Sequence, residues 1–397
     1  MRILVGWDDT AQAELIRLYL NVDGNGVVVT TDATQFLTLV NSPQDWDVIL
    51  LTTSFPDHDS AFDIYQKVHE VRPECPVVAA CLPDDVYRLA RYLTSGLRAY
   101  LIRDAKGDFM FLMNAVIEGA VRQIESERER LVAEKLRREI DSVRQLQESI
   151  IPHNIACPEN YSIVARYESS QIRVIGGQPV TMAGGDYYDA FTLPDDSVIV
   201  LVGDASGHGM KACMSIMTMH TLIRMIRYDE FRDPARFVAY VNKMLCKQKV
   251  VNNEGGFITL LYGVLDPKSS EFKWASAGHP APMIQRLDGD EFEVIGDEDS
   301  AGLPIGIIPD AEYETHTYKI PARSRLLLYT DGIVEAFPVG GDQHCEFGIK
   351  GVQESMRNAS ELPLSQAMQK LFDDSQAFTR GQGRHDDTSV LLLERLA

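Results

Sequence analysis

The stretch VIVLVGDASGHG, residues 198–209, decides how this chain folds and what it can hold. The unbroken apolar run from Val198 to Val202 reads as a buried strand, and it stops at Gly203 and Asp204, so a carboxylate sits at the strand end. LLLYTDG, residues 326–332, repeats the form and stops at Asp331. GGDYYD at 184–189 and HDDT at 385–388 set Asp186 and Asp386 beside further apolar runs. Carboxylates gathered at strand ends offer oxygen donors only, which suits Mg²⁺ or Mn²⁺ in near-octahedral sites that keep several waters. Such waters are nucleophiles, so the pattern points to a metal-dependent hydrolase. Taken alone, an aspartate beside glycine is a turn residue; the recurrence of these acids next to strand-like runs is what favours metal.

The neighbouring residues fit that reading. Gly184, Gly185, Gly203 and Gly332 flank the acids, where a side chain would block a close approach or where φ must be positive. Asp204 precedes a helical pattern whose start, His208 to Lys211, offers free amides to an anion. That helix is rich in methionine, which reads either as a movable element or as plain core filling.

With 397 residues, 45% of them hydrophobic, the chain is globular and long enough for two domains and a connector. A net charge of −20 argues against a nucleic-acid partner and against an anionic membrane surface. No signal-peptide pattern and no apolar run approaching roughly 18 residues is present, so a cytoplasmic protein is expected. Cys75, Cys81, Cys157, Cys213, Cys246 and Cys345 form no CxxC pair and read as reduced, buried thiols.

Residues 1–112 alternate strand-like RILVGW, GVVVTT, DVILLTT, PVVAACL and RAYLIR with helical patterns, which predicts a flavodoxin-like α/β domain with a parallel sheet. This segment resembles the receiver domains of bacterial response regulators, and Asp8 and Asp9 match the acidic pair that holds Mg²⁺ there. The likeness fails where the chemistry lies: Thr52 falls at the phosphate acceptor, Cys81 at the hydroxyl residue after the fourth strand, and Arg103 at the lysine after the fifth. Arg103 keeps a positive charge but not a compact ammonium. The expectation is a pseudo-receiver that forms no aspartyl phosphate. Asp8 and Asp9 then serve either as metal ligands or as a helix cap and a first-turn acid, and Asp57 and Asp59 offer a substitute carboxylate.

Residues 113–152 read as one long helical linker, dense in Glu, Arg, Lys and Gln, ended by Pro152. Val116 or Ile117, then Val121, Ile124, Leu131, Leu136, Ile140, Val143 and Ile150 form a seam, although the step from Leu131 to Leu136 breaks strict heptads. A helix of this length would extend roughly 55 Å. A coiled coil and a parallel homodimer are expected, the alternative being a single helix packed on its own domain.

Residues 160–397 carry GGDYYD, GDASGHG, FITLLYGVLD, SAGHPAP, GLPIGI, LYTDGIVEA and DDTSVLLL in series. Together these resemble the PPM-type metal-dependent protein serine/threonine phosphatases, in their bacterial SpoIIE/RsbU-like branch; LQESIIP before them resembles the linker ending found ahead of that domain. The resemblance implies an α+β β-sandwich flanked by helices, holding two Mn²⁺ or Mg²⁺ ions. It implies that Asp204 bridges the ions and the Ala205 carbonyl binds the second. Asp331 and Asp386 would bind the first, with Asp387 the alternative to Asp386, and Asp186 would hold metal-bound waters. His208 and His279 stand as proton donors to the leaving oxygen or as loop ties. The implied substrate is a phosphoserine or phosphothreonine on a protein, a STAS-domain anti-sigma-factor antagonist in this branch. Arg166 and Arg173 match no phosphate-binding position. An inactive adaptor is disfavoured by the complete acid set, and a transcriptional regulator by the lack of a basic recognition helix.

Overall fold

The computed structural model describes every residue except 22–23, 105–106, 153–154, 170–171, 176–177, 227, 249–254, 290, 297, 339–344, 381–385 and 397. Two compact units divide the chain, Met1–Glu134 and Lys135–Ala397. Among the described residues, no helix is long and apolar enough to cross a membrane.

The first unit contains β1 (Arg2–Gly6), α1 (Thr10–Leu20), β2 (Gly26–Thr30), α2 (Ala33–Val40), β3 (Val48–Thr52), α3 (Ala61–Val71), β4 (Val77–Cys81), α4 (Leu89–Thr94) and β5 (Ala99–Ile102). Every strand pair is parallel, in the order β2-β1-β3-β4-β5, which is the flavodoxin-like order. The central strands β3 and β4 are buried throughout because helices cover both faces, so their sequences read as apolar runs without alternation.

The acidic pair of this unit is occupied by the protein itself. Asp9 caps α1 by accepting from Gln12 N–H at 2.9 Å. Asp8 receives both arms of the Arg103 guanidinium, at 2.6 and 2.5 Å, together with the Ser54 hydroxyl at 2.7 Å. Of the two readings left open for the pair, these bonds match the protein-internal one, with the helix cap at Asp9, one residue later than expected, and an ion pair at Asp8. Burial alone would raise the Asp8 carboxyl, but the bonds from Arg103 and Ser54 and the Arg103 charge outweigh it and hold it below its usual range. Asp57 is spent at the entry to α3, accepting from the amides of Asp59 and Ser60 and from the Ser60 hydroxyl.

A single helix, α5 (Met110–Ile150), follows, beginning slightly before the expected linker start. Ile117 is buried in the first unit's core and Ile140 packs against Val180 and Met182, whereas Leu131 and Leu136 are exposed.

The second unit is built from β6 (Tyr161–Glu168), β7 (Ile172–Ile175), β8 (Gln178–Thr181), β9 (Asp186–Thr192), β10 (Val198–Ala205), α6 (Met210–Arg224), α7 (Pro234–Leu245), β11 (Ile258–Asp266), β12 (Glu271–Ala277), β13 (Met283–Arg286), β14 (Phe292–Val294), β15 (His316–Lys319), β16 (Ser324–Tyr329), α8 (Gly348–Asn358), α9 (Leu364–Phe378) and β17 (Thr388–Arg395). One five-stranded sheet runs β15-β12-β11-β10-β9 and a second runs β14-β13-β16-β17-β6; β7 and β8 pair separately. Val198, Val200 and Val202 face the second sheet's Leu326, Leu328, Leu391 and Leu393, while Ile199 and Leu201 face the layer of α6 and α7. On the second sheet Leu327, Tyr329, Val390 and Leu392 face α8 and α9. The apolar runs of β10 and β16 are thus covered on both sides in a helix–sheet–sheet–helix stack. Removing one such side chain, as in Leu328→Ala, would cost about 2–5 kcal/mol.

FITLLYGVLD and EFKWASAGH form an antiparallel hairpin, β11 paired with β12. The thiols are free as expected, but only Cys81 and Cys213 are buried; Cys345 is exposed.

Candidate metal-binding active site

The four expected acids meet where the two sheets end. Asp186 opens β9 and is the register partner of Asp204 on β10. Asp331 follows the end of β16 across Thr330, and Asp386 lies two residues before β17, the neighbouring antiparallel strand. Two carboxylates of the first sheet therefore face two of the second.

Their electrostatics agree with that proximity. Asp204 is held well above the usual carboxylate range, first by burial and then by the charges of Asp331 and Asp386. Asp186 is also raised well above it, by burial and then by the charge of Asp204. Burial raises Asp331 too, and raises Asp386 with added repulsion from Asp387 and Asp331.

Hydrogen bonds and small residues around the acids set this geometry. The Thr330 hydroxyl donates to Asp186 Oδ2 at 2.7 Å, joining the end of β16 to the start of β9. The GGDYYD turn is held in place by Asp387, whose Oδ2 accepts from Gly185 N–H at 2.8 Å. Of the adjacent acids, Asp387 is buried and bound to that amide while Asp386 is exposed toward the site. The glycines act through close approach rather than positive φ: a Cβ on Gly185 would stand 2.9 Å from the Ala205 carbonyl, and one on Gly332 would overlap the Asp387 backbone.

Asp186 Oδ1 is buried and meets no hydrogen-bond donor among the described residues, its charged neighbours being Asp204 and then Asp387. An oxygen-only donor set with uncompensated negative charge fits hard divalent cations. Among the described residues, no three or more His, Cys, Asp or Glu side chains are grouped closely enough to hold a metal ion by themselves.

The histidines separate. His208 remains exposed between Gly207 and Gly209, and its charge is felt at Asp386. His279 is buried, has both ring nitrogens in hydrogen bonds, and is pushed down to about 3 by burial, so it does not donate a proton to a leaving group. Arg166 binds Gln369 and Glu168 and stacks on Phe372, away from any phosphate role. The Arg173 side chain and His385 lie outside the described residues. A cleft of about 590 Å³ opens beside Asp204 and Asp331, walled by Thr259, Gly278, Pro280 and Ala281.

Sequence reasoning passed over Thr330 and Gln147. Thr330 stands in the YTDG motif itself, which was the available signal; Gln147 carried none. Its amide donates to the Gly184 carbonyl at 3.0 Å, so α5 bonds directly to the acidic motif.

Comparison with known proteins agrees with the fold of the second unit. The model of the family described as Stage II sporulation protein E (SpoIIE) matches residues 194–396, just over half of the chain. Protein IcfG of Synechocystis is 25% identical over 223 residues, 50% of this chain, and the chain spans only 33% of that protein's length. The phosphoserine phosphatase RsbU of Bacillus subtilis is 24% identical over 319 residues, covering 79% of this chain and 87% of RsbU. Among solved structures, the SiaA PP2C domain of Pseudomonas aeruginosa superposes with a TM-score of 0.52 at 17% identity, over 66% of this chain and 97% of that domain, a likeness of fold.

Proposed function

The chain belongs to the SpoIIE family, a bacterial branch of the PPM-type serine/threonine phosphatases, and from that premise we propose that it hydrolyses phosphoserine or phosphothreonine on a protein with Mn²⁺ or Mg²⁺. The observation that carries the reading is the meeting of Asp186 and Asp204 from one sheet with Asp331 and Asp386 from the other, at a mutual repulsion that bound cations would relieve.

Asp204, Asp331, Asp386 and the Ala205 carbonyl would hold two divalent ions, and Asp186 would hold their waters. Bound there, the ions supply positive charge to the phosphoryl oxygens and lower the pKa of water. The protein's own contribution is placement. Thr330 orients Asp186, Asp387 fixes Gly185, and the glycines leave room for the acids. The adjoining cleft receives the chain that bears the phosphate.

A STAS-domain anti-sigma-factor antagonist is the substrate we favour, supported by the motif resemblance and by similarity to a protein named phosphoserine phosphatase. We read residues 1–112 as a regulatory pseudo-receiver, 113–152 as a linker through which two chains pair, and 160–397 as the phosphatase domain. The purified full chain should release phosphate from p-nitrophenyl phosphate and from a phosphoserine peptide with Mn²⁺, and lose this with chelator or with Asp204→Asn. Turnover that survives both treatments would defeat the assignment.

A further inference from the structure

His279 occupies an unusual place in this site. Gly278 follows the last residue of β12 with φ +70°, a conformation that favours glycine, and a Cβ there would press on the Pro304 ring. Ser276 clamps the turn, its hydroxyl donating to the His279 carbonyl at 2.9 Å and accepting from His279 N–H at 3.0 Å. The imidazole is thereby turned inward, leaving His279 2% exposed.

Each ring nitrogen then reaches a different sheet. Nδ1 lies 3.0 Å from the Thr259 hydroxyl on β11, and Nε2 lies 3.0 Å from the Tyr329 carbonyl at the end of β16. A carbonyl can only accept, so Nε2 carries the hydrogen and Nδ1 accepts from Thr259. Thr259 is the register partner of Asp204, and Tyr329 stands two residues before Asp331. One rigid ring therefore connects the strand that pairs with Asp204 to the strand end that delivers Asp331.

We propose that His279 is a positioning residue, a neutral imidazole strut that fixes the separation of Asp204 and Asp331 and so sets the affinity of the site for divalent ions. The inference rests on the reading of this cluster as a metal centre. Like charges on two strand ends drive the ends apart before ions arrive, and a planar ring bonded at both nitrogens resists that spread where a flexible chain would yield. Neutrality matters as well. A cation at this depth would lose its hydration and would compete with the ions for the same carboxylates.

The test measures Mn²⁺ binding to the full chain directly, through the electron paramagnetic resonance signal of free Mn²⁺, beside thermal unfolding in chelator. His279→Leu keeps the bulk but neither hydrogen bond, and should weaken Mn²⁺ binding tenfold or more. His279→Gln restores a donor toward the Tyr329 carbonyl and should recover part of that loss, a rescue that bulk alone does not explain. Thr259→Val should weaken binding by a smaller factor, and it decides the matter if His279→Leu fails to fold. Binding within twofold of wild type in the folded variants overturns the inference while leaving the phosphatase reading intact. Weakened binding in a chain that binds Mn²⁺ yet hydrolyses no phosphoester upholds the strut and defeats the phosphatase reading. A wild-type chain that binds no Mn²⁺ defeats both.

Discussion

Gln147 and Gly184 are joined by two opposed hydrogen bonds: the glutamine amide donates to the glycine carbonyl at 3.0 Å, and the glycine N–H donates to Gln147 Oε1 at 2.9 Å. Gln147 is 1% exposed although it belongs to a helix of largely charged sequence. Its amide also stands 3.4 Å from the Asp186 carbonyl, so the end of α5 grips the turn that presents a site carboxylate.

Gln147→Ala would leave the Gly184 amide and carbonyl buried without partners, at a cost of about 1–3 kcal/mol per group. The expected outcome is a lower thermal midpoint and slower Mn²⁺-dependent phosphate release. Arg144→Ala on the same helix, which removes a partly exposed ion pair with Glu148, should change the midpoint little. If both variants behave alike, the clamp does not couple helix and site.

The Arg103–Asp8 pair makes a different prediction for the first unit. Because the folded Asp8 carboxyl lies below its unfolded range, its stabilisation is present above about pH 4 and is lost as pH falls through the folded value. Arg103→Met should cost about 2–3 kcal/mol, less than the ~3–5 kcal/mol of a fully buried pair because the Asp8 side chain is 19% exposed. It should also flatten this acid dependence, measured by denaturation of the full chain across pH 2 to 6. Acetyl phosphate should add no phosphate to residues 1–112 by mass spectrometry, since Thr52 stands at the acceptor position.

What the sequence made legible follows a physical divide. Strand ends such as Gly203–Asp204 and Thr330–Asp331 were visible because an apolar run covered on both faces has no alternation and its stop is abrupt. The parallel sheet of the first unit was legible for the same reason. The C-terminal helices were passed over, although Leu364, Ala367, Met368 and Leu371 recur at helical spacing on the buried face of α9. Asp8 was ambiguous because an acid that binds Mg²⁺ and one that binds arginine look alike until Arg103, far along the chain, is placed beside it. The same holds for His279 and Gln147: polar residues whose roles are fixed by partners, not by neighbours in sequence.

Stability without metal should depend on pH in the sense opposite to Asp8. Burial and like charge hold Asp204 and Asp186 above their unfolded values, so ionising them costs folding energy that grows as pH rises above about 4. In chelator the thermal midpoint should fall between pH 5 and pH 8, and saturating Mn²⁺ should remove most of that slope. Asp204→Asn should raise the midpoint of the metal-free chain while abolishing hydrolysis. A metal-free midpoint that is flat with pH, with Asp204→Asn no more stable, would mean the carboxylates do not repel as their packing implies.

The middle of α5 leaves Leu131, Val132 and Leu136 at 55%, 68% and 46% exposure, between segments where Ile117 and Ile140 are buried. Val132 and Leu136 are one helical turn apart and Leu131 borders them, so they form a single apolar patch on a charged helix. Pairing with the same patch of a second chain would cover it, as the helical seam predicts. Sedimentation of the full chain should give twice the chain mass, and Leu131→Glu combined with Leu136→Glu should return it to the mass of one chain with its helix content intact. Each chain retains its own Asp186, Asp204, Asp331 and Asp386, so the separated form should still hydrolyse p-nitrophenyl phosphate; a change in its rate would measure how far pairing reaches the site through Gln147. A wild-type chain that sediments as a single copy even at high concentration would remove the dimer from the account.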